Sequence, residues 1–197
     1  MRENYLPFTI GEQFLIVPPG GAPSNRNRLQ LVMERGAFGS GEHETTRSCI
    51  EILETLPSSE NLKILDLGSG TAILTIAALL LNSGDAWCLD IEEAAVKSGQ
   101  KNCQINQLKS PITHLCGTLD QLDEGEFSLI LANIYGDILL DVAEKLVDKA
   151  ASGAYLLLSG ILWEYNFDVR QKYQNLGCKL IKNLILDEFS TILMQKS

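Results

Sequence analysis

The stretch Leu62-Lys-Ile-Leu-Asp-Leu-Gly-Ser-Gly-Thr-Ala-Ile-Leu74 decides the fold of this 197-residue chain. Its apolar run at 62–67 predicts a buried strand, because alternation with polar residues is absent. Gly68 and Gly70 then interrupt the run, and helix-forming residues resume at Thr71, which predicts a helix over 71–82. The stretch is therefore predicted to form a strand, a glycine turn and a helix in succession.

Such a turn is typical of a ligand site, since glycine allows positive φ and has no Cβ, and a helix start offers free N–H groups. The dinucleotide fingerprint G-x-G-x-x-G would need glycine where Ile73 stands, and it does not need an acid such as Asp66 before the loop. A carboxylate repels a pyrophosphate but suits S-adenosylmethionine, whose sulfonium and ammonium groups are cationic. Asp66, Gly68 and Gly70 therefore predict a methyl donor rather than NAD.

A second candidate cofactor residue, Asp90, ends a short apolar stretch at 86–90, 22 residues after Gly68. Carboxylates at the end of the second strand of such folds accept hydrogen bonds from ribose hydroxyls. Two plainer alternatives stay open. Asp90 could merely cap the helix predicted at 92–107, and the residues at 66–71 could form an ordinary strand-to-helix turn.

The rest of the chain alternates between the two kinds of element. Strands are predicted at 112–116, 127–132 and 154–159, helices at 137–150 and 163–176, and two closing strands near 178–186 and 189–195. Alternating strands and helices predict an α/β fold with a doubly wound, mostly parallel sheet, and the last two strands predict an antiparallel hairpin. Near the N-terminus, strands at 13–17 and 29–33 are predicted to form a hairpin or flap.

A glycine-flanked loop at 37–41 leads into a predicted helix whose apolar face carries Cys49, Ile50, Leu53 and Leu56. Paired glycines suggest a movable cover over a ligand, to which Phe38, Gly39 and Thr46 would contribute. The alternative is a surface helix capped by Thr45 or Thr46, with Phe38 as part of the core.

Asn133 closes the strand predicted at 127–132, on the carboxyl edge where open α/β sheets bind ligands. A neutral amide there can accept a hydrogen bond from an incoming amine without forming a salt bridge that would keep the amine protonated. The alternative is that Asn133 caps the helix that begins near Asp137.

Composition excludes several classes of protein. The formal net charge of −9 disfavours a nucleic-acid partner and leaves a basic protein substrate compatible. Five scattered cysteines without a C-x-x-C pattern indicate reduced core residues of a cytosolic protein, and two histidines make a zinc site improbable. The longest apolar run, near 72–81, is too short to cross a bilayer. We expect a cytoplasmic protein without a membrane segment or a metal.

Taken together, these stretches resemble PrmA, the family that methylates ribosomal protein L11. The likeness runs in family order from about residue 14 to the C-terminus. It is carried by Phe14-Leu15-Ile16-Val17-Pro18-Pro19, Ala37-Phe38-Gly39-Ser40-Gly41 with His43 and Thr45-Thr46, Asp66-Leu67-Gly68-Ser69-Gly70, Asp90-Ile91, Ala132-Asn133-Ile134 and Ser159-Gly160-Ile161-Leu162.

The resemblance implies a Rossmann-like, seven-stranded sheet of class I methyltransferases and S-adenosylmethionine as the cofactor. It implies that Thr46, Gly68, Asp90 and Asn133 contact the cofactor or lie beside the transferred methyl, with Asn133 as the catalytic residue. Transfer is expected directly to a protein amine, on a lysine side chain or an N-terminus, and a ribosomal protein is a candidate acceptor.

The resemblance also implies a division of the chain. Residues 1–35 would form an N-terminal segment of short strands or a flap, and residues 36–197 the methyltransferase domain. Family members carry a small α+β docking domain in front, and with almost nothing before Phe14 this chain is expected to lack it. The true acceptor therefore stays open.

Three other functions are compatible with parts of the pattern. A methyltransferase for a small molecule, another protein or a nucleic acid would share the glycine loop, although the net charge disfavours nucleic acid. An NAD-dependent oxidoreductase is disfavoured by Asp66 and Ile73. A non-catalytic module that binds S-adenosylmethionine would use the same binding residues.

Overall fold

The computed structural model describes residues 6–21, 27–34 and 41–197. The described elements in chain order are β1 (Phe8–Ile10), β2 (Phe14–Val17), β3 (Leu29–Val32), α1 (Glu44–Leu53), β4 (Leu62–Leu67), α2 (Ile73–Leu81), β5 (Gly84–Asp90), α3 (Glu93–Ile105), β6 (Ile112–Cys116), β7 (Phe127–Asn133), α4 (Gly136–Asp141), α5 (Ala143–Lys149), β8 (Ala150–Leu162), α6 (Asn166–Asn175), β9 (Cys178–Ile185) and β10 (Phe189–Lys196). Short 3₁₀ turns lie at Leu119–Gln121 and Trp163–Tyr165.

A seven-stranded sheet in the order β6-β5-β4-β7-β8-β10-β9 organises the molecule. Strands β4 to β8 are parallel, and β10 runs antiparallel between β8 and β9. The chain builds outward from β4 through β5 to β6 and then returns to the other side of β4 with β7. This reversal creates a crevice between the carboxyl ends of β4 and β7, where open α/β sheets bind ligands. The predicted α/β class, the parallel sheet and the closing hairpin are confirmed.

The central strands read as continuous apolar runs because both faces of the sheet are covered. Ile64 of β4 and Leu129 of β7 belong to a core shared with α1 and α2. Their neighbours Leu65 and Ile130 point to the opposite face, into a core shared with α4, α5 and α6. Two buried layers therefore hold the carboxyl edge of the sheet in place.

Most predicted elements are confirmed with shifted ends. The helix predicted at 71–82 begins at Ile73 because Ala72 adopts a left-handed conformation with φ 61°. The helix predicted at 137–150 is divided into α4 and α5 at Val142. The first helix, α1, ends at Leu53, so Leu56 lies beyond it.

The predicted N-terminal hairpin is wrong. β2 and β3 run parallel, with Phe14 beside Leu29, and β1, which no sequence pattern predicted, pairs antiparallel with β2. The eleven residues between β2 and β3 are enough to bring the chain back to the start of β2, as a parallel pair requires and a tight turn does not allow.

The small sheet of β1, β2 and β3 packs into the body of the fold. Ile10, Phe14, Ile16 and Leu31 are fully buried in the core that α1 and α2 share. The carboxylate of Glu54, just after α1, accepts hydrogen bonds from the backbone N–H groups of Glu12 and Gln13, both 2.8 Å long. The predicted boundary at 35/36 lies outside the described residues.

Four of the five cysteines are buried and none is bonded to another, as predicted for reduced core residues. Cys116 is the exception, because it ends β6 at the exposed edge of the sheet. Across the described ranges, no helix combines the length and the apolar character needed to cross a membrane.

Candidate active site

The glycine turn after β4 lies at the crevice. Gly68 and Gly70 have φ of +70° and +53°, and the N–H groups of Gly68 and Ser69 donate to the Leu89 carbonyl at 2.8 and 3.0 Å. A Cβ on Gly68 would lie 2.3 Å from Cγ2 of Ile134, whereas a Cβ on Gly70 would meet nothing closer than the Gly68 carbonyl at 4.0 Å. Gly68 is thus required by packing within the protein, and Gly70 leaves bare backbone open to a ligand.

Asp90 connects the end of β5 to this turn. Its Oδ2 accepts a hydrogen bond from the Gly70 N–H at 2.8 Å, and its Oδ1 accepts one from the Glu92 N–H at 3.0 Å. The residue at the N-cap of α3 is Glu92, so the carboxylate of Asp90 does more than cap a helix. It holds the glycine turn with one oxygen and keeps lone pairs on both oxygens for further donors.

The side chain of Asp66, near the end of β4, is buried against Thr75 of α2. Its side chain is only 2% exposed, and the Thr75 hydroxyl donates to Oδ2 at 2.6 Å. Burial raises the pKa of this carboxyl to about 6, against the lowering effect of the Thr75 hydrogen bonds. Its charge can act on a bound cation only through the field, because the structure gives the carboxylate no open surface. Direct contact between Asp66 and a cofactor stays a prediction.

Asn133 and Thr46, predicted from separate stretches, come together at the carboxyl edge. Asn133 is the last residue of β7 and pairs with Ser159 of β8, and its Nδ2 donates to the Thr46 hydroxyl in the first turn of α1 at 3.4 Å. The helix-cap alternative for Asn133 is wrong, since the N-cap of α4 is Tyr135 and has no side-chain cap. Asn133 is half-buried.

The backbone of β8 fits closely around Asn133. Gly160 has φ of +76°, and a Cβ there would lie 2.7 Å from the Ile134 carbonyl and 3.1 Å from Oδ1 of Asn133. The Ile134 N–H donates to the Ser159 carbonyl at 3.0 Å. Together with the contact between Ile134 and Gly68, this packing joins the glycine turn to the Asn133 side of the crevice.

A buried hydroxyl network supports α1 and β8 behind Asn133, and sequence reasoning missed it. The Thr191 hydroxyl of β10 lies 2.6 Å from the hydroxyls of both Ser48 and Ser159. The Ser48 hydroxyl also donates to the Thr45 carbonyl at 2.9 Å. The available signal was a polar residue in a strongly apolar strand, as at Ser159 after three leucines.

The start of α1 differs from the prediction. His43, rather than Thr45 or Thr46, is the N-cap, and its Nδ1 lies 2.8 Å from the Thr45 hydroxyl. Its ring meets Phe189 edge to face at 5.3 Å between centroids, which ties α1 to the final hairpin. Phe38 and Gly39 lie outside the described residues, so their predicted part in the site stays a prediction.

The described side chains form no metal centre, since the ranges 6–21, 27–34 and 41–197 contain no cluster of three or more His, Cys, Asp or Glu residues able to hold an ion. The crevice instead offers open backbone at Gly70, a hydrogen-bonding carboxylate at Asp90 and a neutral amide at Asn133. Such groups can bind a polar ligand with ribose-like hydroxyls and orient a second molecule beside it.

Comparisons with known proteins agree with this geometry. The family model described as "Ribosomal protein L11 methyltransferase (PrmA)" matches residues 1–197. A relative named ribosomal protein L11 methyltransferase from Trichlorobacter lovleyi is 38% identical over 179 residues, covering 87% of this chain and 58% of its own length. A relative of the same name from Geobacter metallireducens is 34% identical over 198 residues, which cover 98% of this chain and 64% of the relative. The chain thus spans about three-fifths of the curated relatives it matches.

Solved structures show the same fold. A crystal structure titled ribosomal protein L11 methylase, from Lactobacillus delbrueckii subsp. bulgaricus, superposes with a TM-score of 0.87 at 23% identity, covering 99% of this chain and 100% of that chain. The crystal structure of a precorrin-6y C5,15-methyltransferase from Geobacter metallireducens superposes with a TM-score of 0.67 at 14% identity, covering 82% of this chain and 94% of that chain. These likenesses establish the predicted Rossmann-like fold of methyltransferases.

Proposed function

The chain belongs to the ribosomal protein L11 methyltransferase family, and from that membership we propose that it is an S-adenosylmethionine-dependent N-methyltransferase of protein amino groups. The observation that carries the proposal is the meeting of three family positions, Gly68, Asp90 and Asn133, at the crevice between β4 and β7. The family match alone would not require them to be positioned for binding.

The residues fit S-adenosylmethionine. The open backbone at Gly70 allows close approach of the donor, and the spare lone pairs of Asp90 suit the two ribose hydroxyls. The buried carboxyl of Asp66, two residues before Gly68, would favour the cationic end of the donor through its electric field. Thr46 and Asn133 would border the methionine end from the other side of the crevice.

The protein's part in the reaction is orientation. Bound S-adenosylmethionine would supply an electrophilic methyl on its sulfonium, which a neutral amine would take as the C–S bond breaks, with the amine proton lost to water. Asn133 Oδ1 can accept a hydrogen bond from the amine without holding it protonated. Its Nδ2 is held by Thr46, which fixes the direction of Oδ1. Positioning of the two reacting atoms then supplies most of the rate.

The acceptor we propose is a protein of the ribosomal L11 kind, with a lysine side chain or an N-terminal amine as the nucleophile. Support comes from the names of the relatives and from the chain's net charge of −9, which favours a basic partner. We further propose that the protein is cytoplasmic, and that residues 36–197 form the catalytic domain with the preceding strands packed against it.

The test combines binding with transfer. Calorimetry should show S-adenosylhomocysteine binding in the micromolar range or tighter, with no detectable binding of NAD. Transfer of labelled methyl to purified L11 and to a lysate lacking this protein, followed by mass spectrometry, would identify the modified amine. Tight NAD binding would overturn the cofactor assignment. Binding of the donor without any labelled protein would leave a cofactor-binding module as the function.

A further inference from the structure

Three turns adjoin on the acceptor side of Asn133. They are residues 134–138 after β7, residues 160–165 at the end of β8 and in the 3₁₀ turn that follows it, and residues 187–189 where the chain turns from β9 into β10. We call these three turns the acceptor rim. Tyr165 packs against Gly136, where a Cβ would lie 2.9 Å from Cβ of Tyr165, and the Trp163 N–H donates to the Glu188 carbonyl at 3.1 Å. The three turns therefore form one continuous surface.

Large apolar side chains stand exposed on this surface. Tyr135 is 63% and Trp163 61% exposed, with Ile138 and Tyr165 more than one-third exposed beside them. Burying aromatic side chains is a large part of the binding energy in protein interfaces, and exposed clusters of them mark interaction sites. Asn133 lies at the inner edge of this cluster, two residues before Tyr135.

The charge on the acceptor rim has a single sign. Its three turns contain Asp137, Glu164, Asp187 and Glu188, and they contain no lysine or arginine. All four acids are exposed, and in the part of the chain that the structure describes none of them forms an ion pair. Acids interleaved with aromatic rings attract cationic side chains both by Coulomb force and by contact with ring faces. The same charge repels anionic lipid and nucleic acid.

We propose that the acceptor rim is the docking surface for a basic, lysine-bearing segment of the acceptor protein. The inference rests on the proposed function, because the amine delivered by this segment must reach Asn133. Trp163 and Tyr135 would contact the aliphatic and cationic parts of lysine or arginine side chains, while Glu164 and Glu188 supply complementary charge. Because the acceptor rim is continuous with Asn133, a segment bound there would bring its lysine amine to Asn133.

The first test measures docking without methyl transfer. In a Trp87→Phe background, Trp163 is the single tryptophan, so its fluorescence reports on the acceptor rim. Titration with a peptide of alternating Lys and Ala, in the presence of S-adenosylhomocysteine, should give a saturable change that a Glu-Ala peptide does not give. Glu164→Lys and Tyr135→Ala should each raise the dissociation constant of the Lys-Ala peptide by about five- to tenfold. Asp148→Lys on α5 and Ile181→Ala on β9 are controls that should leave the dissociation constant of the Lys-Ala peptide unchanged.

The second test follows the reaction. On L11, Trp163→Ala and Glu164→Lys should raise KM by about tenfold with little change in kcat, and calorimetric binding of S-adenosylhomocysteine should be unchanged. Equal weakening by Glu164→Lys and Asp148→Lys would mean diffuse attraction and would overturn the proposal. Concentration-dependent dimerisation that Trp163→Ala abolishes would also overturn it, because the occupant would then be a second copy. Peptide binding to the acceptor rim without any methyl transfer would instead refute the proposed function and leave docking intact.

Discussion

The two sides of the crevice present different kinds of group to a ligand. On the side of β4 and β5, the groups offered to a ligand are backbone atoms of the glycine turn, shaped by positive φ, together with the carboxylate of Asp90 that holds the turn. On the side of β7 and β8, the offered groups are side chains, with Asn133 oriented by Thr46 and backed by the hydroxyls of Ser48, Ser159 and Thr191.

The difference fits the two tasks. A cofactor of constant structure can be held by backbone whose position is set by sterics, and few substitutions are tolerated there. An acceptor amine must be aligned to within a fraction of an ångström. Side chains whose conformations are fixed by a buried hydrogen-bond network can provide that alignment. Loss of a group on the first side should therefore change donor binding, and loss on the second should change turnover.

Gly68→Ala should have the largest effect, on the cofactor side. It adds a left-handed alanine and a Cβ 2.3 Å from Cγ2 of Ile134, so we expect a loss of about 3–5 kcal/mol in the free energy of unfolding and of detectable donor binding. Gly153→Ala is the matched control, with φ of +78° and nothing within 4 Å, and should cost only about 1–2 kcal/mol in urea unfolding. Equal costs for the two variants would show that the Ile134 contact is unimportant.

Asn133→Ala should have the largest effect on the acceptor side. We expect kcat to fall by about a hundredfold while the dissociation constant of S-adenosylhomocysteine changes by less than about threefold, because the amide acts on the amine during transfer. Asn133→Asp should be slow at neutral pH and recover partly as pH rises, since a carboxylate raises the pKa of the amine. Asn61→Ala, on an exposed loop, is the control for both variants and should leave kcat and donor binding unchanged. Parental turnover in Asn133→Ala would exclude a catalytic role for Asn133.

Asp90→Ala should show the opposite division. Removing the carboxylate takes hydrogen bonds from the ribose and from the Gly70 and Glu92 N–H groups, so donor binding should weaken by more than about tenfold. With saturating donor, kcat should change little. Asp85→Ala, at the other end of the same strand, should bind the donor normally in calorimetry. A reduced kcat with unchanged donor affinity would contradict the division between the two sides.

Asp66→Asn should have a smaller effect, on stability and on its pH dependence. The folded pKa of Asp66 is raised to about 6 from 3.8, so the protonated form contributes stability below about pH 4 that is lost as pH rises through 6. The amide should therefore stabilise the protein by about 1–2 kcal/mol at pH 7.5, with the gain vanishing near pH 4. Urea unfolding across this range tests it, and a pH-independent difference would mean that Asp66 does not titrate. Weaker donor binding by the more stable variant would show that the charge of Asp66 favours the cofactor.

Local pattern was enough to predict most of the fold. The strands at Leu62–Leu67 and Ile112–Cys116 match their predicted bounds. The first is a central strand with a largely apolar run, and the second is an edge strand set between Pro111 and Gly117. Element ends were less predictable. The start of α2 depends on the left-handed Ala72, and the break at Val142 has no glycine or proline to mark it.

The sequence by itself was enough to predict the chemistry of the site: residue type and spacing indicate Gly68 and Asp90, and the family resemblance indicates Asn133 at the end of its strand. Tertiary structure alone decided what those residues touch. The carboxylate of Asp66 is buried against Thr75, and β2 and β3 pair in parallel rather than as a hairpin. Thr191 lies 2.6 Å from Ser159 although 32 residues separate them. Contacts between distant segments depend on how the layers pack, and no local periodicity records that packing.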